Sequence, residues 1–396
     1  MANQESTEAV SPFAVALAGA LALAVAMGIG RFAFTPLLPL MIQGGQLDVA
    51  AGGWIAAANY AGYLAGAMTA ARLPLSATRL GIAALLLTAA LTAAMALPGP
   101  TALWLALRFA AGVSSAWAFV STGVWCLGAL ARMRKPSFGG GVYAGVGTGI
   151  ALAGLYCLFG AWGGLSAPAL WLQLGVLALV LMLPACVVLR RLHVQETARA
   201  VPAARPAPDA PGTTAVILCY GLLGFGYILP ATFLPVLARS LVDDPRLFGL
   251  AWPVFGLTAA LSTFVAGWAM RHATRLQVWA VSNVIMGAGA LLPALWLNGW
   301  TVALSALCVG GTFMVVTLAG VQEIRARAGG DPTRLVSRLV AAFAIGQIAG
   351  PVASTLLLHL PAVGERGLAL ALQAAALALF ASAVWLWRQT PRSVQP

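Results

Sequence analysis

The sequence predicts an all-α membrane protein of twelve transmembrane helices in two pseudo-symmetric six-helix bundles. Three observations predict it. First, 61% of the 396 residues are hydrophobic and 8% are charged, against about 25% charged in soluble domains, so a soluble fold would lack the polar surface to cover its apolar residues. Second, cutting the chain at its charged, Pro and Gly clusters leaves twelve stretches near the roughly 20 apolar residues that a bilayer crossing needs. Third, the two halves of the chain repeat each other around a polar linker.

In chain order, the spans are expected near 13–42, 51–71, 79–97, 101–131, 137–163, 168–190, 214–239, 247–270, 276–297, 300–324, 335–359 and 367–388. The leader Met1 to Val10 carries two Glu and no Lys or Arg. A cleavable signal needs a basic n-region, so the first span is expected to stay. Residues 192–212 (LHVQETARAVPAARPAPDAPG) interrupt the apolar pattern with Pro, Ala and charge, which reads as a flexible linker. The expected units are therefore 1–191, the linker 192–212, and 213–396.

The net charge of +12 would suggest nucleic acid in a soluble protein. Its distribution points to the lipid bilayer instead. With the N-terminus in the cytoplasm, seventeen of the 22 Lys and Arg fall on the cytoplasmic side and only Arg239, Arg246 and Arg366 outside. That is the positive-inside asymmetry, with both termini cytoplasmic. The other two, Arg31 and Arg108, lie within spans. All five cysteines also lie within spans, with no CxxC or Cys/His spacing. They read as small packing residues, and no metal or cofactor is expected.

The halves echo each other at fixed offsets. Gly28-x-Gly30 precedes Pro39 as Gly224-x-Gly226 precedes Pro235, and Gly145-x-x-x-Gly149 on the fifth span matches Gly346-x-x-x-Gly350 on the eleventh. Parallel repeats of this kind are typical of secondary transporters, with the substrate site between the repeats near the midplane. Small-xxx-small stripes let helices approach closely, and Gly141, Gly145 and Gly149 are expected where the halves rock against each other. Pro36, Pro39, Pro235 and Pro351 are candidate hinges.

These features resemble the major facilitator superfamily. Arg108-x-x-x-Gly112 is similar to its fourth-helix motif, and Gly346-x-x-x-Gly350-Pro351 resembles its Gly-Pro motif, here on the eleventh span rather than the fifth. The loop after the second span departs from the family: Gly66 is present, but Ala70 stands where the family carries Asp. More finely, GIGRFAFTPLLPLM, AANYAGYLAGA (57–67) and VQEIRARAGGDP (321–332) leading into FAIGQIAGP resemble the YbfB/YjiJ branch of bacterial transporters. The resemblance implies alternating-access transport across a bacterial inner membrane, with no substrate specified.

The residues narrow the chemistry. Arg31 lies ten residues inside Met41 and Arg108 seven inside Thr101, roughly 10–15 Å below the outer boundary at 1.5 Å per residue. A charge in hydrocarbon costs about 2.5–3.5 kcal/mol on insertion scales, so it needs a partner, a wet cavity or a ligand. No Asp, Glu or His lies deep in any span, and guanidinium forks match carboxylate or phosphate oxygens. An organic anion near Arg31 and Arg108 is the expectation. Thr35 one turn above Arg31, Asn59 and Tyr63 on one face of the second span, and Tyr227 and Gln347 in the second half are further candidate contacts. The bland alternatives stay open: either arginine snorkels or braces helix-end carbonyls, and Asn59, Tyr227 and Gln347 form interhelical hydrogen bonds. Glu323 and Arg327, spaced i, i+4, read as a local staple or as a gate contact.

The expected partners are a small-molecule substrate and lipid, with a co-transported proton left open and the chain acting as a monomer. No Walker-type phosphate loop and no nucleophile-base set is present, so neither direct ATP use nor an enzyme is expected. Two alternatives are an exporter of hydrophobic or drug-like compounds, with Trp117, Trp125 and Trp252 lining its cavity, and a transport-inactive receptor on the same scaffold.

Overall fold

The computed structural model describes residues 10–198, 210–239, 245–359 and 367–390, with side chains left out at 49–50, 193–198, 232–239, 245–251 and 354–359. Twelve helical segments follow in order. The first half holds α1 (Pro12–Gln43), α2 (Val49–Ala70), α3 (Ala77–Ala94), α4 (Thr101–Arg132), α5 (Gly139–Trp162) and α6 (Ala167–Ala198). The second holds α7 (Thr213–Arg239), α8 (Pro245–Ala269), α9 (Arg275–Leu295), α10 (Gly299–Ala326), α11 (Thr333–His359) and α12 (Gly367–Arg388). No strand occurs among the described residues. Eleven of the twelve are long and apolar enough to cross a membrane. The exception, α2, is as long at 22 residues but is diluted by Gly, Tyr60, Tyr63 and Asn59.

Local chemistry sets the ends. Ser11, Asp48 and Ser76 accept a backbone N–H at the starts of α1, α2 and α3, satisfying donors that a helix start leaves open. Thr274 and Asn298 form capping boxes at α9 and α10. One boundary differs from expectation. The helix of α6 runs on to Ala198, past residue 192, because the run LHVQETA has no Gly or Pro to stop it. Residues 199–209 of the expected linker lie outside the described residues.

α1 is not one α-helix. It is α-helical over Pro12–Leu23, π-helical over Ala24–Ile29, an open turn at 30–33, and α-helical again over Phe34–Gln43. Gly30 N–H and Phe32 N–H each reach back five residues, to the carbonyls of Val25 (2.8 Å) and Met27 (3.0 Å). Pro36 lacks the N–H that would return to the Phe32 carbonyl, and Thr35 N–H takes that acceptor instead at 3.2 Å. The extra residue per turn loosens the helix beside Arg31.

Glycines set how closely the helices approach. A Cβ on Gly145 would sit 2.0 Å from the Ala20 carbonyl oxygen, and one on Gly149 would sit 2.5 Å from that of Ala24. The matching pair in the second half meets α7: Gly346 at 2.1 Å from the Gly221 oxygen, and Gly350 at 2.4 Å from Ile228. This corrects the expectation that these stripes lie between the halves. Each holds its helix to the first helix of its own half, and Gly141 meets nothing within 4 Å. The halves touch along α5 and α8 and along α2 and α11. At the first contact the close approach comes from Gly147, whose added Cβ would lie 2.3 Å from Ala260 N, and from Gly256, 2.4 Å from Ala151 N. Residue 147 is offset from 145 and 149 by two positions, about 200° around a helix, so it faces the opposite way.

Candidate functional site

Arg31 sits in the open turn of α1, 3% exposed, where α1, α2, α7 and α11 converge. Its Nη2 donates to Gln347 Oε1 on α11 at 2.5 Å, a bond from one half of the protein to the other. The guanidinium lies over the Tyr63 ring with its carbon 3.8 Å from the centroid, and Phe32 and Tyr60 stand at 5.4 and 5.8 Å. Such cation–π contacts contribute about 2 kcal/mol or more when desolvated. They leave Nε and Nη1 of Arg31 buried without a hydrogen-bond acceptor, and Gln347 Nε2 likewise. Three donors around this one contact are therefore left with nothing to accept from them.

Arg108, 2% exposed, does different work. Its Nη1 and Nη2 donate at 2.7 Å each to the carbonyls of Gly30 and Arg31. The usual partner of the Arg31 carbonyl, Thr35 N–H, is turned to Phe32, so Arg108 satisfies an acceptor that the break in α1 exposes. A buried carbonyl left bare costs about 1–3 kcal/mol. Asn59 Nδ2 in turn donates to the Arg108 carbonyl at 3.0 Å. Helices α2 and α4 meet there so closely that a Cβ on Gly112 would lie 2.2 Å from the Asn59 oxygen. Asn59 and Arg108 thus form a buttress behind Arg31.

Between the halves lies a cavity of about 20 Å³, room for little more than one water. Arg31, Phe32 and Tyr63 line one side and Tyr227, Phe313 and Phe343 the other. Of the expected contacts, Arg31, Tyr63, Tyr227 and Gln347 come together here. Thr35 does not: it is exposed, because the turn at 30–33 breaks the 100° per residue that would have set it above Arg31. Phe32 takes its place. Sequence reasoning missed Phe32, Phe313 and Phe343, since aromatic residues in apolar helices carry no mark of which face they occupy. Of the three tryptophans, Trp252 packs near Phe32 with centroids 6.3 Å apart, Trp117 donates to Thr69 Oγ1 at 3.0 Å, and Trp125 is buried away from this cavity.

On the face that carries the linker, a second connection crosses between halves. Arg325 at the end of α10 donates to the carbonyls of Gly123 and, at 2.9 Å, Val124 on α4. Glu323 accepts from Arg327 Nε at 2.8 Å and from Arg275 Nε at 2.9 Å, so it joins two helices of the second half as well as stapling its own. Arg327 Nη1 also donates to the Pro211 carbonyl at 2.9 Å. Pro351 lies inside α11, and Pro235 falls where side chains are left out. Among the described residues no group of His, Cys, Asp and Glu is arranged to hold a metal.

The model of a family described as "Uncharacterised MFS-type transporter YbfB" matches residues 23–386. The chain belongs to the YbfB-type family of the major facilitator superfamily. The match begins within α1 and ends within α12, so it takes in both halves of this YbfB-type transporter and every residue around Arg31. No curated protein matches the sequence. Among solved structures, the fold is similar to that of the human organic anion transporter MFSD10 (TETRAN), with a TM-score of 0.70, 14% identity, and coverage of 96% of this chain and 100% of that one. At that identity the likeness shows the fold alone. The family and fold make this a multi-pass membrane transporter with a small-molecule substrate, rather than an enzyme.

Proposed function

We propose that this YbfB-type protein carries a small organic anion by alternating access, with Arg31 as the group that binds the negative charge. The observation that carries the reading is the state of Arg31: a buried cation between the halves with two N–H groups unpartnered. Among the described residues Glu323 is the one buried acid, and it is engaged with Arg275 and Arg327. An anion is the complement this site lacks. Gln347, Tyr63 and Tyr227 complete the binding surface, while Arg108 and Asn59 hold Arg31 in place. The human transporter of organic anions with this fold is a precedent for such cargo.

The bond from Arg31 to Gln347 and the cluster at Arg325 support a rocking motion in which ties between halves form and break. Both halves of the site come from one chain, so a monomer suffices. The positive-inside asymmetry supports an inner-membrane orientation with both termini and the linker in the cytoplasm. No described carboxylate lies near Arg31, so a coupled proton would travel on an acidic substrate.

Uptake into proteoliposomes tests the reading. Arg31→Gln should reduce Arg31-dependent anion uptake by about 30-fold or more, the scale of removing one partner from a buried charge pair. Arg31→Lys should retain part of it, keeping the charge and losing the planar fork. Full uptake by well-folded Arg31→Gln would overturn the proposal. Counterflow separates a carrier from a receptor on the same scaffold, which would bind saturably without exchange.

A further inference from the structure

We infer that the anion is a monocarboxylate with a flat, apolar aromatic body. This rests on the reading of Arg31 as the charge-binding group. The two walls of the cavity differ in kind. Among the described residues the first half supplies a single free cation to this cavity, because the terminal nitrogens of Arg108 are held by carbonyls. No other Lys, Arg or His lines the cavity. A second carboxylate on the ligand would be desolvated without a partner.

The second half supplies a slab of rings. Trp252 stacks on Phe255 (5.5 Å between centroids, 12° between planes), Phe255 on Phe313 (5.4 Å, 13°), and Phe313 on Tyr227 (5.0 Å, 24°). Phe343 continues the series on Tyr227 at 6.2 Å and 28°. Tyr227, Phe313 and Phe343 bring this series to the cavity, and an aromatic wall of this kind favours an aromatic body, which can stack on the rings or meet them edge-on. Met27, Phe119, Val146, Met314 and Val340 fill most of the remaining wall, with Tyr220 and Thr317 beside them.

The donors fix where the carboxylate goes. Each two-nitrogen edge of a guanidinium includes Nη2, and Gln347 holds the Nη2 of Arg31. Nη2 carries one N–H on each edge, so a carboxylate can grip with both oxygens the edge that Gln347 leaves open, beside the Gln347 carbonyl. Gln347 Nε2, now without an acceptor, becomes a further donor to the bound anion. The ligand thus binds at the existing tie between the halves, and its aromatic body enters as the narrow cavity parts.

The test uses the full-length protein in lipid nanodiscs, with melting temperature and competition for uptake as readouts. The probes are 2-naphthoate, acetate, phthalate and neutral 2-naphthamide. The expected result is that 2-naphthoate binds at least about tenfold more tightly than acetate or phthalate, roughly the gain from one stacked, buried ring. Naphthamide should be weaker still, and Arg31→Gln should abolish naphthoate binding. Phe313→Leu should weaken naphthoate by about tenfold and acetate by much less; Phe343→Leu replaces it should Phe313→Leu fail to fold. Equal binding of acetate or phthalate, with Arg31 still required, would overturn the aromatic monocarboxylate and leave the anion reading standing. Naphthoate binding that survives Arg31→Gln, or naphthamide binding as tightly as naphthoate, would overturn both. So would the absence of any response to the anions.

Discussion

Two arginines that look equivalent in the sequence divide their tasks in the structure. Each is a lone cation in an apolar helix at similar depth, and the different motifs around them do not by themselves assign the two tasks. What separates them is the break in α1, which turns the carbonyls of Gly30 and Arg31 toward Arg108 and leaves Arg31 facing the cavity. Arg108→Met should therefore act first on stability. It would leave two carbonyls bare at about 1–3 kcal/mol each, lower the melting temperature by several degrees, and weaken anion binding only through displacement of Arg31. Arg108→Lys should recover part of the stability, with one carbonyl served instead of two. A melting curve beside a binding curve for the same variants separates this role from direct contact with the ligand, which would weaken binding without moving the melting temperature.

At the scale of helices, the glycine stripes were legible as close-packing surfaces but not as to which neighbour they pack against. Gly145 and Gly149 bind α5 to α1, and Gly346 and Gly350 bind α11 to α7, while Gly147 faces Gly256 across the boundary between halves. The two classes predict different failures. Gly145→Val places side-chain atoms inside the α1 backbone, so it should lower the yield of folded protein and its melting temperature. Gly147→Val leaves each bundle intact and obstructs the approach of α5 to α8. It should keep the melting temperature within a few degrees while transport falls by at least about tenfold, on the scale of overpacking costs of 1–3 kcal/mol. Equal thermal effects from the two substitutions would contradict this division. The π-helical turn in α1 belongs to the same scale. Its ingredients, Gly28, Gly30, Pro36 and Pro39, are visible in the sequence, but the residue at which the turn opens depends on Arg108 and Gly149 packing against it.

For the molecule as a whole, the ties between the halves hold this conformation: Arg31 to Gln347 at the centre, and Arg325 to α4 on the linker face. Arg325 joins the halves through the backbone carbonyls of Gly123 and Val124. Arg325→Ala should shift the population toward a conformation open on the linker side. Val340→Cys, at a position that lines the cavity and is 1% exposed, then reports it. In a background free of the native cysteines, it should react with a maleimide from the linker side at least about fivefold faster when Arg325 is absent, corresponding to about 1 kcal/mol of population shift. An unchanged rate would show that Arg325 does not hold that side shut.

The sequence by itself determined the twelve-span pattern, the two halves, the YbfB-type family and the isolated charge in α1. Hydropathy, repeat spacing and the absence of deep acids are properties of composition along the chain, and the bilayer converts them into architecture with few alternatives. Only the tertiary structure decided that Arg31 faces a cavity while Arg108 braces it, that Thr35 turns away, and that Phe313, Tyr227 and Phe343 form the opposing wall. The physical reason is rotational. In a helix apolar all round, a side chain's direction is set by which neighbour its backbone meets, and one extra residue in a π turn redirects every position that follows.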